Sequence, residues 1–280
     1  MSEPTPRLAD WLDKTAVAED DITAYPLAAM SATLDRETTG GAVPPLWHWL
    51  YFLPVAPLAE VGQDGHPKRG GFLPPVPLPR RMWAGGRLTF HAPLTAGERA
   101  TRTSTIASIE DKTGRTGRLV FVTVRHEMGV AGDLRIEEEQ DIVYRDAPVP
   151  GAPEKEPARA PQGEAFQRTV TADPVMLFRY SALTFNGHRI HYDYPYVTQE
   201  EGYPGLVVHG PLIATLLVDL LRRELPAAAL RTFAFRAVRP TFAGNPFTLC
   251  AKPSDDGHTV ELWAKDHDGY LTMSASATLA

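Results

Sequence analysis

The stretch Pro211-Leu-Ile-Ala-Thr-Leu-Leu-Val-Asp-Leu-Leu-Arg-Arg-Glu-Leu225 decides the fold. Its proline stands where the first turn of a helix tolerates one, since the missing N–H has no intrahelical acceptor there. Apolar side chains cover nearly every side of this helix up to Asp219. A helix that is apolar all round must be enclosed by other elements. Strands follow at once. FRAVRPTFAGNPFTLCAK (235–252) leads through SDDG to HTVELWAKD (258–266), and a DG turn leads on to YLTMSASATLA (270–280). These runs are rich in β-branched and aromatic residues and are bounded by glycine turns, the signature of antiparallel strands.

The same order of strands occurs earlier. GRLTFHAPLTAGERATRTSTIASI (86–109) passes through TGRTG to RLVFVTVRHEM (118–128), and an AGD turn leads to LRIEEEQDIVYR (134–145). Pro93 and Pro240 are 147 residues apart, as are Gly97 and Gly244. The later turn glycines lie 140 (Gly117, Gly257) and 137 (Gly132, Gly269) apart, so the second copy has shorter turns. Repetition at a fixed spacing marks an internal duplication. The helix candidate of the first copy is weaker, the apolar run Pro44–Leu53 with Trp47, Trp49, Tyr51 and Phe52. A buried helix followed by a curved antiparallel meander, twice over, predicts an α+β chain with a tandem hot-dog fold. Between the copies RDAPVPGAPEKEPARAPQGE (145–164) carries five prolines among charges, which predicts an extended, exposed linker. The expected organisation is an N-terminal repeat over 1–144, the linker, and a C-terminal repeat over 165–280.

Composition narrows the class. Of 280 residues 43 % are hydrophobic and 22 % charged, which suits an ordinary core and excludes wholesale disorder. A net charge of −6 argues against a nucleic-acid partner. No apolar run reaches the roughly 18–20 residues of a membrane span. The opening MSEPTPRLADWLDK has acids and prolines where a secretory leader needs a basic patch and an apolar run. Cys250 stands alone, so no internal disulfide or cysteine-rich metal site is expected. These features favour the cytoplasm.

The two copies differ most ahead of the helix. The second contains Arg179-Tyr-Ser-Ala-Leu-Thr-Phe-Asn-Gly-His-Arg-Ile-His-Tyr-Asp193, whereas the nearest equivalent in the first, Tyr25 to Asp35, has no histidine. The second copy is therefore the expected catalytic half, and the first a binding half whose aromatic run forms core or walls an acyl tunnel. Tyr180–Asp193 resembles the hydratase-2 motif of the MaoC-like acyl-CoA hydratases and dehydratases, roughly Ser-Gly-Asp-x-Asn-Pro-x-His. The match puts Asn186 at the family's Asp, His188 at its Asn and His191 at its His. Gly205–Thr215 is similar to the family's His-Gly helix start, which falls on His209 and Gly210. The wording FNGHRIHYD, with His66–Gly86, resembles the branch that contains mitochondrial-type hydroxyacyl-thioester dehydratases, mesaconyl-C4-CoA hydratase and itaconyl-CoA hydratase.

The resemblance implies a hydro-lyase that adds water to an enoyl-CoA, with a short dicarboxylic acyl group such as itaconyl or mesaconyl-C4, no cofactor and a homodimeric assembly. Asn186 departs from the motif: an amide orients water but is no general base. The proton transfer then falls to His191, read as an imidazole of ordinary pKa near 6.5. Unpaired N–H groups at the helix start around His209–Gly210 are expected to hold the thioester oxygen. A substrate carboxylate needs a cation, and Arg80, Arg81 and Arg179 are the candidates. His188 and His191, with Asp193 or His209, are a weak ligand set, and no metal is expected. His126 and Glu127 sit on opposite faces of a strand and make a poor acid–base pair. A hot-dog thioesterase and a non-catalytic acyl-thioester-binding subunit are the rival readings.

Overall fold

The computed structural model describes residues 7–38, 40–114, 117–146 and 156–280. Its strands are β1 (Thr15–Asp21), β2 (Arg80–Phe90), β3 (Arg99–Gly114), β4 (Gly117–Val130), β5 (Asp133–Arg145), β6 (Phe166–Thr171), β7 (Leu230–Ala237), β8 (Pro246–Pro253), β9 (Thr259–Lys265) and β10 (Leu271–Leu279). All belong to one antiparallel sheet in the order β1-β3-β4-β5-β2-β7-β10-β9-β8-β6. The order reads alike from either edge, so each half is one copy of the duplicated unit, the tandem hot-dog arrangement. In each half three strands form a meander, and the strand that precedes it closes on its far side, β2 on β5 and β7 on β10. The halves join along β2 and β7, from Gly85 opposite Arg236 to Thr89 opposite Thr232.

The helices are α1 (Ala24–Thr33), α2 (Pro174–Leu183) and α3 (Gly210–Glu224). Every residue of α3 from Leu212 to Leu221 is buried. It packs against β6, β8, β9 and β10, the concave face of the second half. Asp219 is only 1 % exposed. Arg223 at 2.7 Å, Arg168 at 3.1 Å and Arg36 at 3.4 Å surround its carboxylate, which is how an acid is tolerated at this depth.

Among the described residues the first half has no counterpart of α3. Pro44–Leu53, expected as a helix, contains only a single 3-10 turn at Trp47–Leu50. Leu46 and Phe52 on either side of it adopt left-handed φ values of 70° and 53°, which end helical propagation in both directions. The side chains of this segment bond outward instead of stacking as a helix. Tyr51 donates its hydroxyl to the Thr23 carbonyl at 2.6 Å. Trp49 Nε1 donates to Glu138 at 2.9 Å, and His48 Nε2 lies 3.1 Å from the same carboxylate. Gln140 adds a third bond at 2.8 Å. Burial alone would raise the Glu138 carboxyl, but the bond and charge of His48, with His126 and Gln140, outweigh it and hold the group at about 2. His126 faces this belt and contacts Ser104 at 2.8 Å, while Glu127 points outward, as strand alternation predicts.

The expected linker splits. Residues 147–155 lie outside the described residues. Its later part is not free: Arg159 pairs with Tyr270 in a β-bridge, and its guanidinium lies 4.1 Å from that ring. Ala158 and Ala160 bond through their backbones to Leu271 and Gly269. This segment is docked on the turn between β9 and β10.

Replacing Glu138 tests how far the belt stands in for the missing helix. Glu138→Leu strands the Trp49 and His48 donors in the interior and is expected to cost about 3–5 kcal/mol in urea unfolding. A loss below about 1 kcal/mol would show that the 3-10 turn is held by packing alone.

Candidate active site

The loop between α2 and α3 is tied down residue by residue. Asp173 caps α2 by accepting from the Met176 N–H at 2.8 Å. After the helix, the Asn186 N–H bonds the Ser181 carbonyl at 2.9 Å, and its Oδ1 accepts from the His188 N–H at 3.0 Å. The Asn186 carboxamide is thus turned partly into its own loop, and its Nδ2 bonds no other described residue. Arg189 grips Asp193 at 2.7 Å, and Asp193 also accepts from the Tyr196 N–H. Val207 N–H bonds the Ile190 carbonyl at 3.0 Å, lacing the loop to the approach of α3.

A second lace matters more. His191 Nδ1 lies 2.7 Å from the Val207 carbonyl oxygen. A carbonyl only accepts, so Nδ1 carries the proton and Nε2 keeps the lone pair. The His191 ring is 6 % exposed and stacks on His209, with centroids 3.6 Å apart and 20° between planes. His209, fully buried, is the N-cap of α3 and reaches Ser181 Oγ through Nε2 at 2.8 Å. Burial lowers the His191 pKa to about 4, against a small raising effect of the Val207 bond. The expectation of an ordinary value near 6.5 is therefore corrected: the base is neutral because the ring is shut away from water. His209 is lowered further, by burial and then by the two neighbouring histidines.

α3 begins beside these rings. Ile213 N–H is the first to find a helical acceptor, the His209 carbonyl at 3.1 Å. Pro211 has no N–H, so the donors free at this end are those of Gly210 and Leu212, which bond no other described residue. A Cβ added to Gly210 would meet nothing within 4 Å. Open space therefore adjoins the positive end of the helix dipole.

The first half contributes a loop, running into the His66–Gly86 stretch already singled out, whose contact with this site no local pattern predicts. The His66 and His188 ring centroids lie 4.3 Å apart with planes tilted by 41°, and His188 stands 5.5 Å from His191. Arg189 bonds the carbonyls of Asp64 (2.9 Å, backbone) and Gln63 (3.0 Å, Nη1). Gly65, at φ 88°, lets the two loops touch: a Cβ there would collide with the Gly187 carbonyl. The FNGHRIH motif gave no hint of this partner, because it lies over a hundred residues away in the chain.

The remaining candidates separate. Arg80 is engaged, donating to the Glu201 carbonyl at 2.7 Å and pairing with its carboxylate at 3.4 Å. Arg179 is exposed on α2. Arg81 is half-buried on β2; burial and then the Arg81 charge lower the His66 pKa, whereas His188 is lowered by burial and then by His66 and His191, with Arg81 the least of the causes. The set His188, His191, Asp193 and His209 does not converge on a common point: Asp193 serves Arg189, His191 Nδ1 serves Val207, and His209 Nε2 serves Ser181. The ligand-type atoms that do converge are those of Asp64, His66 and His188, within 4.8 Å of one another.

Residues 46–243 match the family Htd2, hydroxyacyl-thioester dehydratase type 2. The chain belongs to this family. It is 49 % identical to mesaconyl-C(4)-CoA hydratase of Chloroflexus aurantiacus over 276 residues, 96 % of either chain. It is 28 % identical to the mitochondrial hydroxyacyl-thioester dehydratase type 2 of Schizosaccharomyces pombe, over 78 % of this chain and 80 % of that one. Among solved structures it is similar to a MaoC-like dehydratase from Phytophthora capsici, with a TM-score of 0.73 at 12 % identity, covering 98 % of each chain. A double hot-dog protein from Mycobacterium tuberculosis matches with a TM-score of 0.53 at 15 % identity, again over 98 % of each. At such identities these two structures bear on the fold alone, and they match the tandem arrangement of the family member described here.

Two glycines test the packing of the site. Gly65→Ala combines a left-handed φ with a collision against Gly187 and is expected to lower stability by about 1–3 kcal/mol. Gly210→Ala meets open space at a helical position and is expected to leave stability unchanged or raise it by less than about 1 kcal/mol. Thermal unfolding of both variants checks the pair; equal losses would contradict the described packing.

Proposed function

We propose that this chain is an acyl-CoA hydratase that adds water across the α,β double bond of a short dicarboxylic enoyl-CoA, of which mesaconyl-C4-CoA is the leading case; itaconyl-CoA, whose double bond is not conjugated with the thioester, does not fit the step. The observation that carries the reading is the His191 ring, locked by Val207 with its lone pair at Nε2, beside the unpaired N–H groups of Gly210 and Leu212. The close relation to mesaconyl-C(4)-CoA hydratase supports the choice of substrate.

The step balances as follows. His191 Nε2 takes one proton from water while the water oxygen bonds the β-carbon. The π electrons move toward the thioester oxygen, where the Gly210 and Leu212 N–H groups and the helix dipole offset the growing charge. His191 then returns the proton to the α-carbon, and the enzyme ends as it began. Asn186 donates from Nδ2 to hold the water oxygen. His209 backs the plane of the His191 ring and contributes to the substrate site. CoA arrives as part of the substrate, and the step calls for no cofactor. Of the three arginines, Arg81 has no carboxylate partner among the described residues and is the one assigned to the acyl side, whereas Arg80 is paired with Glu201.

We further propose that the enzyme works in the cytoplasm as a homodimer. No helix among the described residues is long and apolar enough to cross a membrane. Val175 and Phe178 of α2, 62 % and 65 % exposed, offer an apolar face to a second copy.

The experiment is to follow the enoyl-thioester absorbance alongside a thiol-detecting reagent. Wild-type enzyme is expected to bleach the absorbance without releasing thiol. His191→Ala is expected to lower kcat by about 10²–10⁴-fold. Gly210→Ala, though stable, is expected to lose about 10²-fold because its methyl occupies the thioester position. Since the His191 pKa sits at about 4, its basic form persists at every pH above that value. The rate is therefore expected to stay level from about pH 8 to pH 5, with no inflection near 6.5. Thiol release without hydration would turn the reading into a thioesterase; binding without turnover would make it a carrier.

A further inference from the structure

We infer that Asp64, His66 and His188 form a binding site for a divalent transition-metal ion of the zinc class. Their ligand-type atoms, one carboxylate oxygen and two imidazole nitrogens, lie within 4.8 Å of one another. The two rings approach with centroids 4.3 Å apart. Bonds of about 2.0–2.1 Å to a single ion require these atoms to draw together by up to about 1.5 Å, a distance that side-chain rotation covers. All three residues are half-buried, so water reaches the fourth position of a tetrahedral shell.

These two rings differ from the other enclosed histidines in being unengaged. His48, His126, His191 and His209 are buried, and each spends a ring nitrogen on the protein, at Glu138, Ser104, the Val207 carbonyl and Ser181. His66 and His188 bond the protein through their backbones alone, and their ring nitrogens bond no other described residue. Asp64 Oδ1 accepts from the His66 N–H at 3.0 Å, and Oδ2 bonds no described residue. The backbone that presents the ligands is already fixed. Gly62 N–H closes the loop on the His66 carbonyl at 2.7 Å, and the Asp64 carbonyl accepts from the Arg189 N–H at 2.9 Å.

Two nitrogens and one oxygen suit zinc, cobalt or nickel, whereas magnesium and calcium take oxygen ligands. The set is not the one weighed from sequence: of the four residues considered there only His188 takes part, and Asp64 and His66 come from the first half. Arg81 acts on both rings with a charge of the ion's own sign. The Asp64 carboxylate offsets that charge, and the balance sets an affinity at the micromolar level. The ion takes no step in the hydration proposed above, and the inference does not rest on that reaction. Its effect is to staple the loop that carries His191 to the other half of the chain, with the His188 ring 5.5 Å from that of His191.

Calorimetric titration of the chelator-treated, full-length protein with zinc chloride tests this, in parallel with thermal unfolding. Wild type is expected to take up one zinc with a Kd of about 0.1–10 μM. With zinc at about a hundredfold excess over that constant, it is expected to unfold at least about 3 °C higher. Magnesium is expected to do neither. His66→Leu and His188→Leu are each expected to weaken zinc uptake at least about 30-fold. Asp64→Asn keeps an oxygen for the His66 N–H, so the loop stays folded, and is expected to weaken uptake at least about tenfold. His91→Ala removes an exposed histidine paired with Glu137 and is expected to leave uptake unchanged. The inference is overturned if wild type takes up no zinc at about 100 μM, or if Asp64→Asn and the two histidine variants bind zinc as wild type does. Failure of the hydratase reading is distinct: it appears as unchanged enoyl absorbance and leaves zinc uptake as it was.

Discussion

The geometry of the site depends on one hydrogen bond, from His191 Nδ1 to the Val207 carbonyl. A backbone acceptor fixes the proton on one nitrogen and the lone pair on the other, at an angle that side-chain motion cannot change. Val207 stands two residues before the N-cap of α3, so the bond joins the base to the helix whose first N–H groups face the same space. Burial keeps the ring neutral, and the stack with His209 holds its plane. The proposed base and the free helix-end donors are thus held by one short segment of chain, an arrangement that would need little reorganisation as charge develops.

The duplication has been used asymmetrically. One half keeps the long helix, and the other has replaced it with a 3-10 turn anchored on the buried Glu138. Strand β2 of the first half pairs with β7 along the seam of the continuous sheet, and the Gln63 and Asp64 carbonyls of its loop accept from Arg189. Breaking the chain into halves would separate His191 from His66 and from Arg81.

Much of this was legible in the sequence. The eight strands of the two meanders and their closing partners announce themselves through β-branched runs between glycine turns. β1 and β6 do not, because edge strands such as Thr15–Asp21 are mostly exposed and carry no apolar alternation. The apolar run Pro44–Leu53 reads equally as buried helix or buried turn, and only partners distant in the chain decide between them. α2 starts at the Asp-Pro pair 173–174, a helix signal that the sequence analysis did not draw on. The motif singles out His191, His209 and Gly210, and the structure stacks the two rings beside the start of α3. The approach of His66 and Asp64 to them was not legible, since contact across the two halves leaves no local pattern. The ordinary pKa assigned to His191 failed for the same reason: enclosure is a tertiary property.

The central claim is open to nitrogen NMR of the imidazoles in the intact protein, with His191 assigned by its substitution. At pH 7 the His191 ring should be neutral, with the proton on Nδ1 and an unprotonated Nε2. A ring protonated on Nε2, or an imidazolium at that pH, would contradict the account.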